Sequence, residues 1–221
     1  MLTGNGNFNL DSTTNNVSII SAGSNASRLG SLNFTNSNAL VVGSVGSNSG
    51  IYAIGTIAIS TLTGDLSVSQ NINTQNTSTT ALILNASQST AAGVSSGGDL
   101  KFSGGASITI GANARAKLYS GSISGSTGLT TITGSGSNRF RYNSDESNSN
   151  YSLSLGTGIH AIYRERPSLT IVADDKTVTY GTAPTLTTTV NGLQNGDTAA
   201  QTLSTVAVSY THLRAHETCT N

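Results

Sequence analysis

A five-residue phrase occurs three times in the first half of this chain: Gly30-Ser31-Leu32-Asn33-Phe34, Gly64-Asp65-Leu66-Ser67-Val68 and Gly98-Asp99-Leu100-Lys101-Phe102. Successive copies start 34 residues apart. A fixed interval of this size marks a repeat architecture, in which a unit too small to close its own core buries its apolar side against its neighbours. Within each phrase the apolar side chains alternate with polar ones, the period of a strand with one buried face.

Composition narrows the choice further. Gly, Ser, Thr and Asn make up about half of the chain, and all four rank low in helix propensity. Disorder is disfavoured, because only 9% of the residues are charged and no proline precedes Pro167. Short strands joined by Gly/Asn turns remain. Further alternating runs fit that reading, among them Val17-Ser18-Ile19, Ile57-Ala58-Ile59, Leu82-Ile83-Leu84 and Ile108-Thr109-Ile110.

Such runs suit a chain coiling about one axis, with its aliphatics in a ladder and its Asn and Thr side chains stacked over the turns. The expected class is therefore all-β: a right-handed parallel β-helix over residues 1–138, then a small antiparallel β module. One coil cannot stand alone. A buried Leu, Ile or Phe contributes roughly 1.5–3 kcal/mol, whereas fixing one residue's backbone costs roughly 1–2 kcal/mol. The interval could be one wide coil or two unequal ones.

Charge density changes at Arg139: residues 1–138 carry seven charged side chains and residues 139–221 carry thirteen. Residues 139–167 read as the end of the stack and a linker. Tyr151-Ser152-Leu153-Ser154-Leu155 and Ile159-His160-Ala161-Ile162-Tyr163 would be a last strand pair, and Arg164-Glu165-Arg166-Pro167 the connector. Beyond Pro167, Leu169, Ile171 and Ala173 alternate, with turn chemistry at Asp174-Asp175, Gly181 to Pro184, Asn191-Gly192 and Asn195-Gly196-Asp197.

The order Tyr180-Gly181, Pro184-Thr185-Leu186, Gly192-Leu193 and Gly196-Asp197 resembles the MBG-type β repeat of bacterial surface adhesins. The resemblance covers about 168–205, and the module is expected over 168–207 in truncated form. In that family it follows a filamentous-haemagglutinin-like β-helix, and Gly64 to Val68 with Ala81 to Ala86 look like one. Residues 208–221 fit neither half. Their run Val208 to Thr218 resembles a translated sequencing-adaptor tail, so a non-native tail is expected there.

No cluster of chemistry-bearing residues emerges. His212 and His216, with Glu217 and Cys219, have metal-ligand spacing, but nothing around them reads as a helix or core. Gly93-Val94-Ser95-Ser96-Gly97 matches a nucleophile pattern, with Asp145 and His160 following in hydrolase order, yet that motif needs a strand before it and a long helix after it. A turn between strands explains it better. The pairs Asp145-Glu146 and Asp174-Asp175 read as a solvated loop and a turn. Glycosylation sequons, among them those at Asn16, Asn25, Asn33, Asn76 and Asn85, are no more frequent than this composition gives by chance. Arg139, Arg141, Tyr142, Arg164 and Arg166 could form a basic-aromatic patch, but interleaved Asp145, Glu146 and Glu165 favour packing or a solvated linker.

The expected function is a fragment of a secreted or cell-surface adhesin. An elongated stalk would display multivalent binding surfaces without catalysis or cofactors, and with no catalytic, cofactor-binding or metal residue. Its partner would be a glycan or protein on a host or neighbouring cell, with an outer-membrane transporter possible during export. Net charge is zero and the basic residues are scattered, which favours neither nucleic acid nor anionic membrane. No segment approaches the roughly 18 apolar residues of a membrane helix, so membrane insertion is not expected. The location would be extracellular or at the bacterial cell surface, with any export signal upstream of this sequence. The alternatives are a β-helix polysaccharide lyase or hydrolase, for which Asp65 and Asp99 would be the acidic residues, and a purely structural spacer.

Overall fold

A computed structural model of the chain describes residues 1–179 and 181–203. It divides into two compact units, Met1–Pro167 with Gln194–Asp197, and Ser168–Leu193 with the described residues 198–203. The architecture is mostly β.

The first unit begins with β1 (Asn7–Leu10), β2 (Ile19–Ile20), β3 (Ser31–Asn36) and β4 (Leu40–Val42), followed by a short antiparallel excursion of β5 (Ser44–Val45) and β6 (Asn48–Ser49). Next come β7 (Ile51–Ala53), β8 (Ile57–Thr61), β9 (Leu66–Val68), β10 (Ile72–Thr74), β11 (Leu82–Asn85), β12 (Leu100–Phe102), β13 (Ile108–Thr109) and β14 (Arg115–Ser120). Helix α1 (Leu129–Thr133), β15 (Phe140–Arg141) and β16 (Gly158–Tyr163) follow.

From β7 to β14 the chain visits three sheets in fixed rotation. These are a three-stranded sheet (β13-β10-β7), a seven-stranded sheet (β1-β3-β8-β11-β14-β16-β15) and a four-stranded sheet (β12-β9-β4-β2). Every strand pairing within these three sheets is parallel. Parallel neighbours need a crossover between them, and here a whole circuit through the other sheets supplies it.

Register turns alternation into ladders. Across the seven-stranded sheet Phe8, Leu32, Ile57, Leu82, Ala116 and Ile159 are partners in succession, as are Leu10, Phe34, Ile59, Leu84, Leu118 and Ala161. Opposite them stand Leu40, Leu66 and Leu100, with Val42, Val68 and Phe102 beside them. Nearly all of these side chains lie in one buried cluster. Outward positions are largely polar, and some stack as the composition predicts: Asn33 Nδ2 donates to Asn9 Oδ1 at 2.7 Å, and Asn38 Nδ2 to Asn16 Oδ1 at 3.1 Å.

The three copies of the phrase are not three turns of one repeat. Leu66 and Leu100 are direct partners in the four-stranded sheet, so the Gly64 and Gly98 copies are one circuit apart. Leu32, by contrast, lies in the seven-stranded sheet between Phe8 and Ile57. Its glycine stacks in a different column, where the Gly30 amide donates to the Gly6 carbonyl at 2.9 Å and the Gly55 amide to the Gly30 carbonyl. Along the ladder from Phe8 to Ile159, successive partners are 24, 25, 25, 34 and 43 residues apart, so circuit length is variable. A Gly-x-Leu-x-apolar phrase recurs because strands of both sheets open that way.

Two other differences concern local structure. Leu129–Thr133 is helical although three of its five residues are threonine, a poor helix former; Leu129 and Thr133 are buried, and the Thr133 hydroxyl donates to the Leu129 carbonyl at 2.8 Å. Tertiary burial outweighs propensity here. The expected strand pair at 151–163 is absent: Tyr151–Leu155 forms no strand, while β16 lies parallel between β14 and β15. Only Leu155 of that run is fully covered, against Tyr119 and Ile162, and Leu153 is exposed.

In the second unit β17 (Thr170–Ala173) and β18 (Thr188–Asn191) pair antiparallel, with Ile171 opposite Val190, and α2 (Ala199–Thr202) follows. The alternation at Val178 and Leu186 yields no further strand among the described residues. Tyr180 and residues 204–221 lie outside the described residues, and with them the tail expected at 208–221.

Candidate functional site

Asp65 and Asp99 stack as their spacing suggests, and each bonds the next circuit. The Asp99 amide donates to Asp65 Oδ1 at 2.9 Å, and the Ser122 amide donates to Asp99 Oδ1 at 2.6 Å. Lys101 Nζ meets Asp65 Oδ2 at 2.5 Å. Burial alone would raise the Asp65 pKa, but the Lys101 ammonium and the Asp99 amide outweigh it and hold the carboxyl below its usual range. The glycines preceding these aspartates are equally structural. A Cβ on Gly98 would lie 2.0 Å from the Gly64 carbonyl oxygen, so no other residue fits that approach. Strand opening and circuit stacking explain Gly-Asp-Leu at both positions.

Residues 139–167 hold a buried polar cluster where the sequence predicts a solvated loop and a linker. Arg164 is fully buried. Its guanidinium donates to the Ala86 carbonyl at 2.8 Å, to Asn85 Oδ1 at 2.5 Å and to Glu146 Oε2 at 3.3 Å. Asp145 is also buried, and its carboxylate accepts the amides of Ala92 (2.8 Å), Ser147 (2.7 Å) and Asn148 (2.5 Å). Burial would raise its pKa, but the Asn148 side chain and these three amides hold it at about 2. Asp145 and Glu146 therefore diverge, the first tying its own loop to Ala92 and the second pairing with Arg164. The only advance sign of this cluster was that Arg164 directly follows the apolar run Ile159 to Tyr163.

The other singled-out residues are dispersed. Gly93–Gly97 forms neither strand nor helix and Ser95 is exposed, so the flanking elements of a nucleophile elbow are missing. His160 is buried on β16, where burial and the nearby Arg139 and Arg141 hold its pKa below the ordinary histidine value. Arg141 is buried with its guanidinium 5.5 Å from the Tyr151 ring, while Tyr142 stacks on Tyr163 at 5.8 Å. These are packing roles, and no open basic-aromatic patch forms from them; Arg166 is exposed. Asp174 accepts the hydroxyls of Thr187 and Thr189, tying the β17–β18 ribbon, and Asp175 is exposed. Among the sequons, Asn85 is buried against Arg164. His212, His216, Glu217 and Cys219 lie outside the described residues. Among the described residues no group of His, Cys, Asp and Glu is placed to hold a metal ion.

Among the described residues a groove of about 410 Å³ crosses β3, β8 and β11 on the outer face of the seven-stranded sheet. Two registered rows form its floor. Asn33, Ala58 and Ile83 are successive partners, and so are Thr35, Ser60 and Asn85. Asp11, Thr13, Leu62, Gln88 and Glu146 complete the lining. Among the described residues the Thr35 and Ser60 hydroxyls have no side-chain hydrogen bond, and the shielded Oε1 of Gln88 has no partner.

Comparison with known families decides what the second unit resembles. Residues 169–216 match the MBG domain (YGX type). The matched MBG segment contains the β17–β18 ribbon and extends past the described residues, and its Tyr180 is the tyrosine of the Tyr-Gly pair. No curated protein matches the chain, and no solved structure does.

Proposed function

We propose that this chain is part of a secreted or cell-surface adhesin, in which a stiff β stack displays binding surfaces and an MBG-type module follows it. The observation that carries this reading is the MBG match directly after a unit whose strands rotate through three parallel sheets. That rotation supports a parallel β-helix, and the strong right-handed preference of parallel crossovers supports its hand. The likeness of the first unit to filamentous-haemagglutinin stalks belongs to the same proposal, as do export through an outer-membrane transporter and an extracellular location.

Display suits the chemistry of the surface. Aspartates that could serve a polysaccharide-cleaving enzyme are engaged between circuits, and the ladders make each circuit depend on its neighbours, which gives stiffness without disulfides. Repeated weak contacts along such a stack gain strength through avidity. Beads carrying the purified chain test this against the two alternatives. Adhesion to cell surfaces with no release of reducing ends from polysaccharides supports display. Cleavage that disappears in Asp65→Asn/Asp99→Asn would identify an enzyme, and beads that neither adhere nor cleave would leave a spacer.

A further inference from the structure

We infer that the groove across β3, β8 and β11 is a binding site for a neutral oligosaccharide; this rests on the display reading and names its ligand class. Both edges of each of these strands are already paired, β3 with β1 and β8, β8 with β3 and β11, and β11 with β8 and β14. A peptide therefore cannot add as a strand, and a ligand meets only side chains. The side chains on offer are those a sugar uses. Ala58 and Ile83 are adjacent partners that give a small apolar floor for a C–H face. Thr35 and Ser60 run parallel to it as a row of hydroxyls.

Charge excludes the neighbouring ligand classes. Asp11 and Glu146 both line the groove, and no Lys or Arg does. Glu146 is already engaged by Arg164 and the Ser89 amide, which leaves Asp11 as the carboxylate that accepts hydroxyl donors and repels phosphate, sulfate and uronate groups. Arg164, the nearest buried cation, is committed to Ala86, Asn85 and Glu146 behind the groove wall. A neutral, hydroxyl-rich chain satisfies the free hydroxyls of the Thr35–Ser60 row.

The test measures binding of the full chain to manno-, galacto-, gluco- and chito-oligosaccharides of stated length, with an oligogalacturonate as the charged comparison. At least one neutral series binds, the oligogalacturonate does not, and Ser60→Arg weakens binding roughly tenfold or more by filling the groove. Ser67→Arg, on the outer side of the four-stranded sheet, leaves binding unchanged, and both variants keep the parent's thermal unfolding midpoint. Binding that survives Ser60→Arg, preference for the oligogalacturonate, or no binding of any neutral series overturns the proposal. Should beads still adhere to cells when the groove fails, the display reading stands and only the groove assignment falls; loss of adhesion as well removes both.

Discussion

Arg164 donates from Nη1 to the carbonyl oxygen of Ala86 at 2.8 Å, joining residues 78 positions apart in a site closed to solvent. Its second guanidinium arm holds Asn85 and Glu146. Arg164→Met leaves the buried Asn85 and Ala86 oxygens without their donor, while the solvent-accessible Glu146 keeps the Ser89 amide, and is expected to cost about 1–3 kcal/mol in denaturant unfolding. Arg164→Lys does not restore this, because an ammonium cannot reproduce the planar fork that reaches three acceptors.

Asp145 makes the stack sensitive to acid. Its folded pKa of about 2 lies below the unfolded value of about 3.9. Its contribution is therefore fully present above the unfolded pKa and is lost as pH falls through the folded one. Thermal unfolding measured from pH 5 to pH 2 should show the midpoint falling through this window, with a shallower fall in Asp145→Asn. At pH 7, Asp145→Ala should cost about 1–3 kcal/mol, since the amides of Ala92, Ser147 and Asn148 lose their acceptor.

Two glycine substitutions should act in opposite directions. The Cβ of Gly98→Ala would meet backbone of the preceding circuit, the Gly64 carbonyl, at 2.0 Å. Overpacking of this kind costs about 1–3 kcal/mol. At Gly156 a Cβ meets nothing within 4 Å, and Gly156→Ala should be neutral or stabilising by up to about 1 kcal/mol through the unfolded state. Urea midpoints of the two variants against the parent chain check the pair.

The Lys101–Asp65 pair should contribute little as an ion pair, both side chains being more than a third exposed. Lys101→Met is expected to change stability by about 0–1 kcal/mol, with the difference shrinking in high salt. Asp65→Ala should cost more than Lys101→Met, because the Asp99 amide of the next circuit also loses its acceptor. A double-mutant cycle in denaturant separates the two effects.

Strand positions such as Leu66–Val68, Leu82–Leu84 and Leu100–Phe102 were legible because period-two alternation is local and each run has one buried face. Circuit length was not, because turns here change length without changing composition. The interval from Gly30 to Gly64 therefore joined strands of different sheets, while the interval from Gly64 to Gly98 was a true circuit. Arg164 and Asp145 were misread for another reason. Their partners lie at Asn85, Ala86 and Ala92, and a charged residue beside Gly, Ser or Pro looks solvated until a distant circuit covers it. The groove was illegible because it exists only once Asn33, Ala58 and Ile83 are in register.

Register itself is open to a direct measurement, with Cys219→Ser as the background for paired outward cysteines. Neighbouring strands lie about 4.7–4.9 Å apart, inside the Cα separation a disulfide accepts. Asn33→Cys/Ala58→Cys and Ala58→Cys/Ile83→Cys should each close a bridge under mild oxidation, detected by mass after digestion. Asn33→Cys/Ser67→Cys, the pair that a uniform 34-residue repeat would bring together, should remain as two thiols. A bridge in that last variant and none in the first two would contradict the three-sheet stack on which the display of binding surfaces depends.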